Sequence, residues 1–251
     1  MDHTLTKMSS LFDSASLHDP NQAADLARRI QSTLISNTLT EALWQKHIDD
    51  CLRYRFHAAM VPPCWIKRTA QALSGSCIRV ASFIDLPFGT MLTASKATEA
   101  AQMVNEGVHE IDLMPNVGFL LSGLEREYYA DISEVVQAAK NVPIKVMLEL
   151  PLLRPQQRER AVQISIEAGV TYLKNASSGT VGTAQPSEIE YLRRVAPPHI
   201  HIKASGGIKT VQQVQALIAA GADLVGTSAG SAIMQEFLTG NSPAESRASH
   251  Y

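Results

Sequence analysis

The chain has 251 residues, 45% of them hydrophobic, a formal net charge of -2 and a pI near 6.4, which exclude the electrostatic footprint of a nucleic-acid or anionic-membrane binder. The odd set Cys51, Cys64 and Cys77 lacks CxxC spacing and clustered histidines, so neither a disulfide framework nor a zinc site is expected, only reduced and mostly packed thiols. No apolar run approaches the ~20 residues of a membrane span, and MDHTLTKMSS at the N-terminus has no apolar signal core, so a soluble cytoplasmic protein is expected.

Residues 1–29 form an N-terminal extension whose amphipathic segment NQAADLARRI is expected to cap the bottom of the fold or pack along its outside. From residue 30 short β-rich runs alternate with stretches of helical period. In chain order the strands are RIQSTLI, HAAMV, CIRVASFI, HEIDLM, IKVMLEL, TYLKN, HIKAS and DLVGT. The helices between and after them are TEALWQKHIDDCLRY, WIKRTAQAL, TASKATEAAQMVNEG, EREYYADISEVVQAAKN, RPQQRERAVQISIEAG, PSEIEYLRRV, KTVQQVQALIAAG and AGSAIMQEFL. Several close on Gly or Asn, the usual helix stop. Eight βα units in this length predict one TIM (β/α)8 barrel over residues 30–238, followed by a tail at 239–251. A doubly wound sheet is the competing α/β architecture, but no GxGxxG or Walker-type loop follows an early strand.

In such a barrel the polar residue that finishes each strand faces the active site. Strand four carries Asp112, strand six ends on Lys174, and strand seven carries Lys203. Taken singly, each lysine is ordinarily a surface residue or half of an ion pair, and Asp112 a carboxylate satisfying backbone amides. Their common register at the ends of neighbouring strands points instead to one coupled set. A neighbouring cation then lowers the pKa of one lysine to yield a neutral amine that attacks carbonyls, while the carboxylate moves protons. Lys145 opens its strand and is expected to point to the bottom or the helical layer; Glu149 is a candidate for holding a lysine in place.

Anion binding is suggested by two further loops. KASGGIKT places Gly206 and Gly207 before a helix, and GTSAG places Ser228 at the start of the last one. Glycine-permitted loops at helix N-termini direct backbone N–H groups at phosphate, though ordinary turn chemistry would account for one such loop. Ser177, Ser178 and Gly179 could close a third side.

With these residues in view the chain resembles the deoxyribose-phosphate aldolase family from about residue 30 onward. The matching stretches are LPFG, GVHEIDLMPNVGFLLSG, IKVMLELPLL, AGVTYLKNASSG, IKASGGIKT and AGADLVGTSAG, in order and without large gaps. The resemblance implies that Lys174 forms the Schiff base, Lys203 perturbs it and Asp112 shuttles protons. It also implies that Gly206, Gly207 and Ser228 bind the substrate phosphate, and that the tail's final Tyr251 reaches the site. No metal or organic cofactor is implied; the partners are a small phosphorylated sugar and, in a homodimer, a second copy. The expected activity is cleavage of 2-deoxyribose 5-phosphate; another phosphorylated sugar or sugar acid, or a non-catalytic phosphometabolite-binding barrel, are the alternatives.

The chain departs from the family pattern at Gln31, where an aspartate is usual, at Asn175 and the late Gly179 after the nucleophile, at Leu150 and at Asp85. DHTL at residues 2–5 repeats the missing motif's letters too far upstream to serve it. These changes are expected near the site mouth, where they would alter the substrate rather than the covalent mechanism.

Overall fold

The computed structural model describes residues 20–240. A helix, α1 (Pro20–Ala27), precedes β1 (Ile30–Thr33), α2 (Glu41–Tyr54), β2 (Ala58–Met60), α3 (Ile66–Ala72), β3 (Arg79–Ile84), α4 (Thr93–Asn105) and β4 (Glu110–Leu113). Then follow α5 (Val117–Leu121), α6 (Glu125–Ala139), β5 (Ile144–Met147), α7 (Pro155–Glu167), β6 (Tyr172–Lys174), α8 (Pro186–Val195), β7 (His201–Ser205), α9 (Val211–Ala219), β8 (Leu224–Thr227) and α10 (Gly230–Thr239). The strands pair in sequence order, all parallel, and β8 closes on β1, the TIM barrel expected from the pattern.

Local chemistry places the helix ends. Thr40 accepts the Leu43 N–H at the start of α2, Thr210 and Gln213 form a capping box on α9, and Pro155 and Pro186 open α7 and α8. Gly240 ends α10 in the left-handed region. The short α5 was not expected, because five residues are too few to show a helical period; Asn116 caps it through the Phe119 N–H at 3.2 Å. Helix α1 packs against α10 on the outside of the barrel. The DHTL letters at residues 2–5 and the tail with Tyr251 lie outside the described residues.

Two apolar assemblies result from the two-residue strand period. Outward-facing Ile30, Ile84, Ile111, Val146 and Ile202 pack beneath the helices in the main core, where complete burial of each stabilises by about 1.5–3 kcal/mol. Inward-facing Ala58, Met60 and Ala81, with Phe83, form a separate small cluster inside the barrel. The other half of the interior is charged: Glu110, Asp112, Lys145, Lys174 and Lys203 are all at most 5% exposed.

Lys145 belongs to this interior, not to the helical layer. It pairs in register with inward-facing Asp112, and its ammonium lies 2.5 Å from Glu110 Oε2. The cysteines also differ from expectation: all three are free thiols, but only Cys51 is packed, while Cys64 and Cys77 sit exposed in the turns after β2 and before β3. Among the described residues no helix is long and apolar enough to cross a membrane.

Candidate active site

A cavity of about 350 Å³ opens at the C-terminal ends of the strands. Asp112, Lys174, Ser177, Ser178, Gly179, Gly206, Gly207 and Ser228 line it, so residues singled out on four different strands or their following loops converge as expected. A larger groove of about 710 Å³ between α7 and α8 carries only the exposed carboxylates Glu159 and Glu167 among its charged groups.

The floor is set by a single carboxylate. Lys174 Nζ donates to Asp112 Oδ2 at 2.9 Å, and Lys203 Nζ donates to the same oxygen at 2.6 Å. Lys174 lines the cavity, whereas Lys203 lies beneath the wall at 1% exposure. Gly226 makes room for it: a Cβ there would stand 2.8 Å from Lys203 Cε and 2.5 Å from Ser205 Oγ. Burial pushes the Lys203 ammonium down to about 7; Asp112 opposes this, and Lys174 and Lys145 add to it. Burial alone would raise the Asp112 carboxyl, but Lys174, Lys203 and Lys145 outweigh it and hold the group well below the ordinary carboxylate range. One carboxylate shared by two ammonium groups is an arrangement that releases a proton readily and leaves an amine.

The rim is built from backbone. Gly206 adopts φ 119°, and a Cβ would approach Gly182 O to 2.5 Å, so the loops after β6 and β7 nest only because this residue has no side chain. Thr227 ties the cradle together by donating to Ile208 O at 2.7 Å and accepting the Ala229 N–H at 2.9 Å. The positive end of α10 begins at Gly230, just beyond Ser228.

Several wall residues escaped the sequence reading. Thr33, Met60, Phe83 and Met147 face the cavity from β1, β2, β3 and β5, and Lys209 stands at its rim. Strand parity was the available signal, since each wall residue lies two places after another inward one. Glu149 does not hold a lysine: in left-handed backbone at φ 53°, it accepts the Ser177 N–H at 2.7 Å and so shapes the loop after Lys174. Burial raises its carboxyl, with the Ser177 hydrogen bonds and then the charge of Lys174 opposing, although among the described residues no lysine hydrogen-bonds to it.

The departures from the family pattern lie mostly behind the walls rather than at the mouth. Asn175 accepts the Ser205 N–H at 2.8 Å and donates to Glu188 at 3.0 Å, lacing β6 to β7 and α8. Leu150 is wholly buried outside the cavity lining, and Gln31 directs its amide at Met60 Sδ. Asp85 joins a network that the sequence did not reveal. There Lys96, buried in α4, donates to Gly89 O, Met114 O and Asp131 Oδ2 at 2.9, 3.2 and 2.8 Å, and lies 3.3 Å from Asp85 Oδ2. This ammonium pins the loops after β3 and β4 to α6, next to Leu86 in the cavity wall. Lys96→Met is expected to cost about 3–5 kcal/mol in urea unfolding, because Asp131 keeps a buried charge without its cation. A loss below about 1 kcal/mol would show that the network is not ionic.

The profile of the DeoC/LacD family aldolases matches residues 51–236. A deoxyribose-phosphate aldolase of Bacillus cereus is 34% identical over 211 residues, covering 84% of this chain and 95% of the relative. One of Geobacillus is 34% identical over 212 residues, with the same coverage of 84% and 95%. The tetrameric deoxyribose phosphate aldolase structure from Aeropyrum pernix superposes with a TM-score of 0.80 at 28% identity, covering 87% of this chain and 93% of that one.

Proposed function

Because the chain belongs to the DeoC/LacD family of aldolases, we propose that it reversibly cleaves 2-deoxyribose 5-phosphate to acetaldehyde and glyceraldehyde 3-phosphate through a Schiff base on Lys174. The observation that carries this reading is the convergence of Lys174 and Lys203 on one oxygen of Asp112, with only Lys174 of the two lysines opening on the cavity. Lys174 as the neutral amine adds to the carbonyl carbon, and loss of water gives the iminium. In the cleavage direction, Asp112 with Lys203 takes the proton of the sugar's 3-hydroxyl as the C2–C3 bond breaks. The bonding pair enters the iminium as an enamine, and the aldehyde leaves. Protonation of the enamine carbon and hydrolysis release acetaldehyde and restore the amine, so that covalent catalysis divides one difficult step into easier ones.

The serine and glycine rim at Ser177, Ser178, Gly179, Gly206, Gly207 and Ser228 suits the 5-phosphate, with the end of α10 adding positive potential. Met60, Phe83 and Met147 supply an apolar wall against which the two-carbon donor fits. The reading treats residues 30–238 as the catalytic unit and Tyr251 as a further proton donor. It places the enzyme in the cytoplasm without metal or organic cofactor and as a homodimer, a self-association that the tetrameric relative supports.

The test is a coupled assay for glyceraldehyde 3-phosphate release, together with borohydride reduction in acetaldehyde and peptide mapping. Cleavage unaffected by a chelator and a reduced adduct on Lys174 are expected. An unmodified Lys174 peptide would sink the Schiff-base reading.

A further inference from the structure

Below the reactive set the barrel interior holds a second charged pair. Lys145 Nζ lies 2.5 Å from Glu110 Oε2 and 3.9 Å from Asp112 Oδ1, and neither side chain is exposed. Glu110 is held from the bottom of the barrel as well, by His57 Nε2 at 2.7 Å and Arg79 at 3.0 Å. The Tyr172 ring packs under the Lys145 ammonium with its centroid 5.1 Å away. Asp112 Oδ1 is buried without a hydrogen-bond partner, so the nearest cation to that free oxygen in the layer below is Lys145.

These distances fix how charge is distributed. Inside the barrel three buried lysines meet two buried carboxylates. Glu110 satisfies Lys145, which leaves Asp112 as the single counter-charge for Lys174 and Lys203, one cation in excess. We propose that Glu110 and Lys145 are positioning residues that set this count, keeping Asp112 for the two upper lysines so that one of them is held as a neutral amine. The inference rests on Lys174 acting as the imine-forming lysine.

The groups facing the pair are His57 and Arg79 on Glu110, Tyr172 beside Lys145, and Asp112 with Lys174 and Lys203 above. Lys145 adds to the forces that lower Lys203 and that hold Asp112 ionised. Removing it as Lys145→Met takes a cation from beneath the reactive lysines, favours their charged form, and shifts the acidic limb of imine formation to higher pH. Removing the carboxylate as Glu110→Gln takes away a negative charge and frees Lys145 to turn to Asp112 Oδ1, which shifts the same limb to lower pH. The double variant leaves the net charge of the interior as it was and returns the limb toward its original position. Each single shift is expected to be at least about one pH unit, because a unit charge added or removed in so buried a site is weakly screened.

The experiment measures the pH midpoint of borohydride-trapped imine at Lys174 in the parent, both single variants and the double variant. Opposite shifts that cancel in the double variant support the pair as a charge-setting device, which a merely structural role would not produce. Trapping in the parent with unmoved midpoints, or with both singles shifted the same way, overturns it while the aldolase reading stands. No adduct in the parent removes both. If Glu110→Gln fails to fold because it strands a buried charge, Lys145→Met and the double variant still decide, since the double variant buries no unpaired ion there.

Discussion

Lys174→Arg is expected to abolish carbon–carbon cleavage, with a loss of at least about a thousandfold in kcat/KM, and to leave no borohydride-stable adduct on the barrel. Arginine keeps a cation near Asp112, so the fold and the local charge survive. Its guanidinium cannot be deprotonated at working pH and therefore supplies no nucleophile. Position decides which lysine matters here: Lys174 lines the cavity, while Lys203 is 1% exposed beneath it. Circular dichroism unchanged from the parent would separate lost chemistry from lost structure. An adduct that moved to Lys203 in this variant would reverse the assigned roles.

The barrel was legible because its strands and helices alternate with clean periods and its helix stops are marked by Gly, Asn and Pro. The upper half of the site was legible for a related reason: strand ends face the mouth, where Lys174 and Lys203 are register partners, although Asp112 pairs in register with Lys145 and meets the two lysines only through its side-chain oxygen. What lay deeper was not. Glu110 and Lys145 sit two residues before a wall residue of their strands, Asp112 and Met147, and a charge at the base of a strand reads as a residue at the solvent-exposed bottom. Only the register between β4 and β5 shows that each is the other's partner. Lys96 was hidden for a different cause. TASKATEAAQMVN looks like a helix with a polar face, yet Lys96 turns inward to loops from β3 and β4 that the sequence keeps far away. Asn175 illustrates the limit of comparing letters: it differs from the family pattern beside the nucleophile but points away from the cavity, as a strap between β7 and α8.

Asp112→Asn tests the shared counter-charge directly and should be the most pH-sensitive change in the molecule. The amide keeps the shape and removes the charge, so Lys174 and Lys203 face each other with Lys145 below and no carboxylate between them. Activity is expected to fall about 10²–10⁴-fold through loss of the proton-transferring group. Stability near neutral pH is expected to drop by about 3–5 kcal/mol, the usual cost of stranding buried charge. Part of that loss should return as pH rises. Lys203, already lowered to about 7 from 10.5, loses the one group that opposed its burial, so its folded pKa falls further below the unfolded value. Between those two values the unfolded chain binds a proton that the folded chain lacks, and stability therefore climbs with pH. Urea unfolding of parent and variant at pH 6 and pH 9 measures the difference. The variant's deficit should shrink at the higher pH, and a deficit equal at both would mean that the two lysines do not depend on Asp112 for their charge.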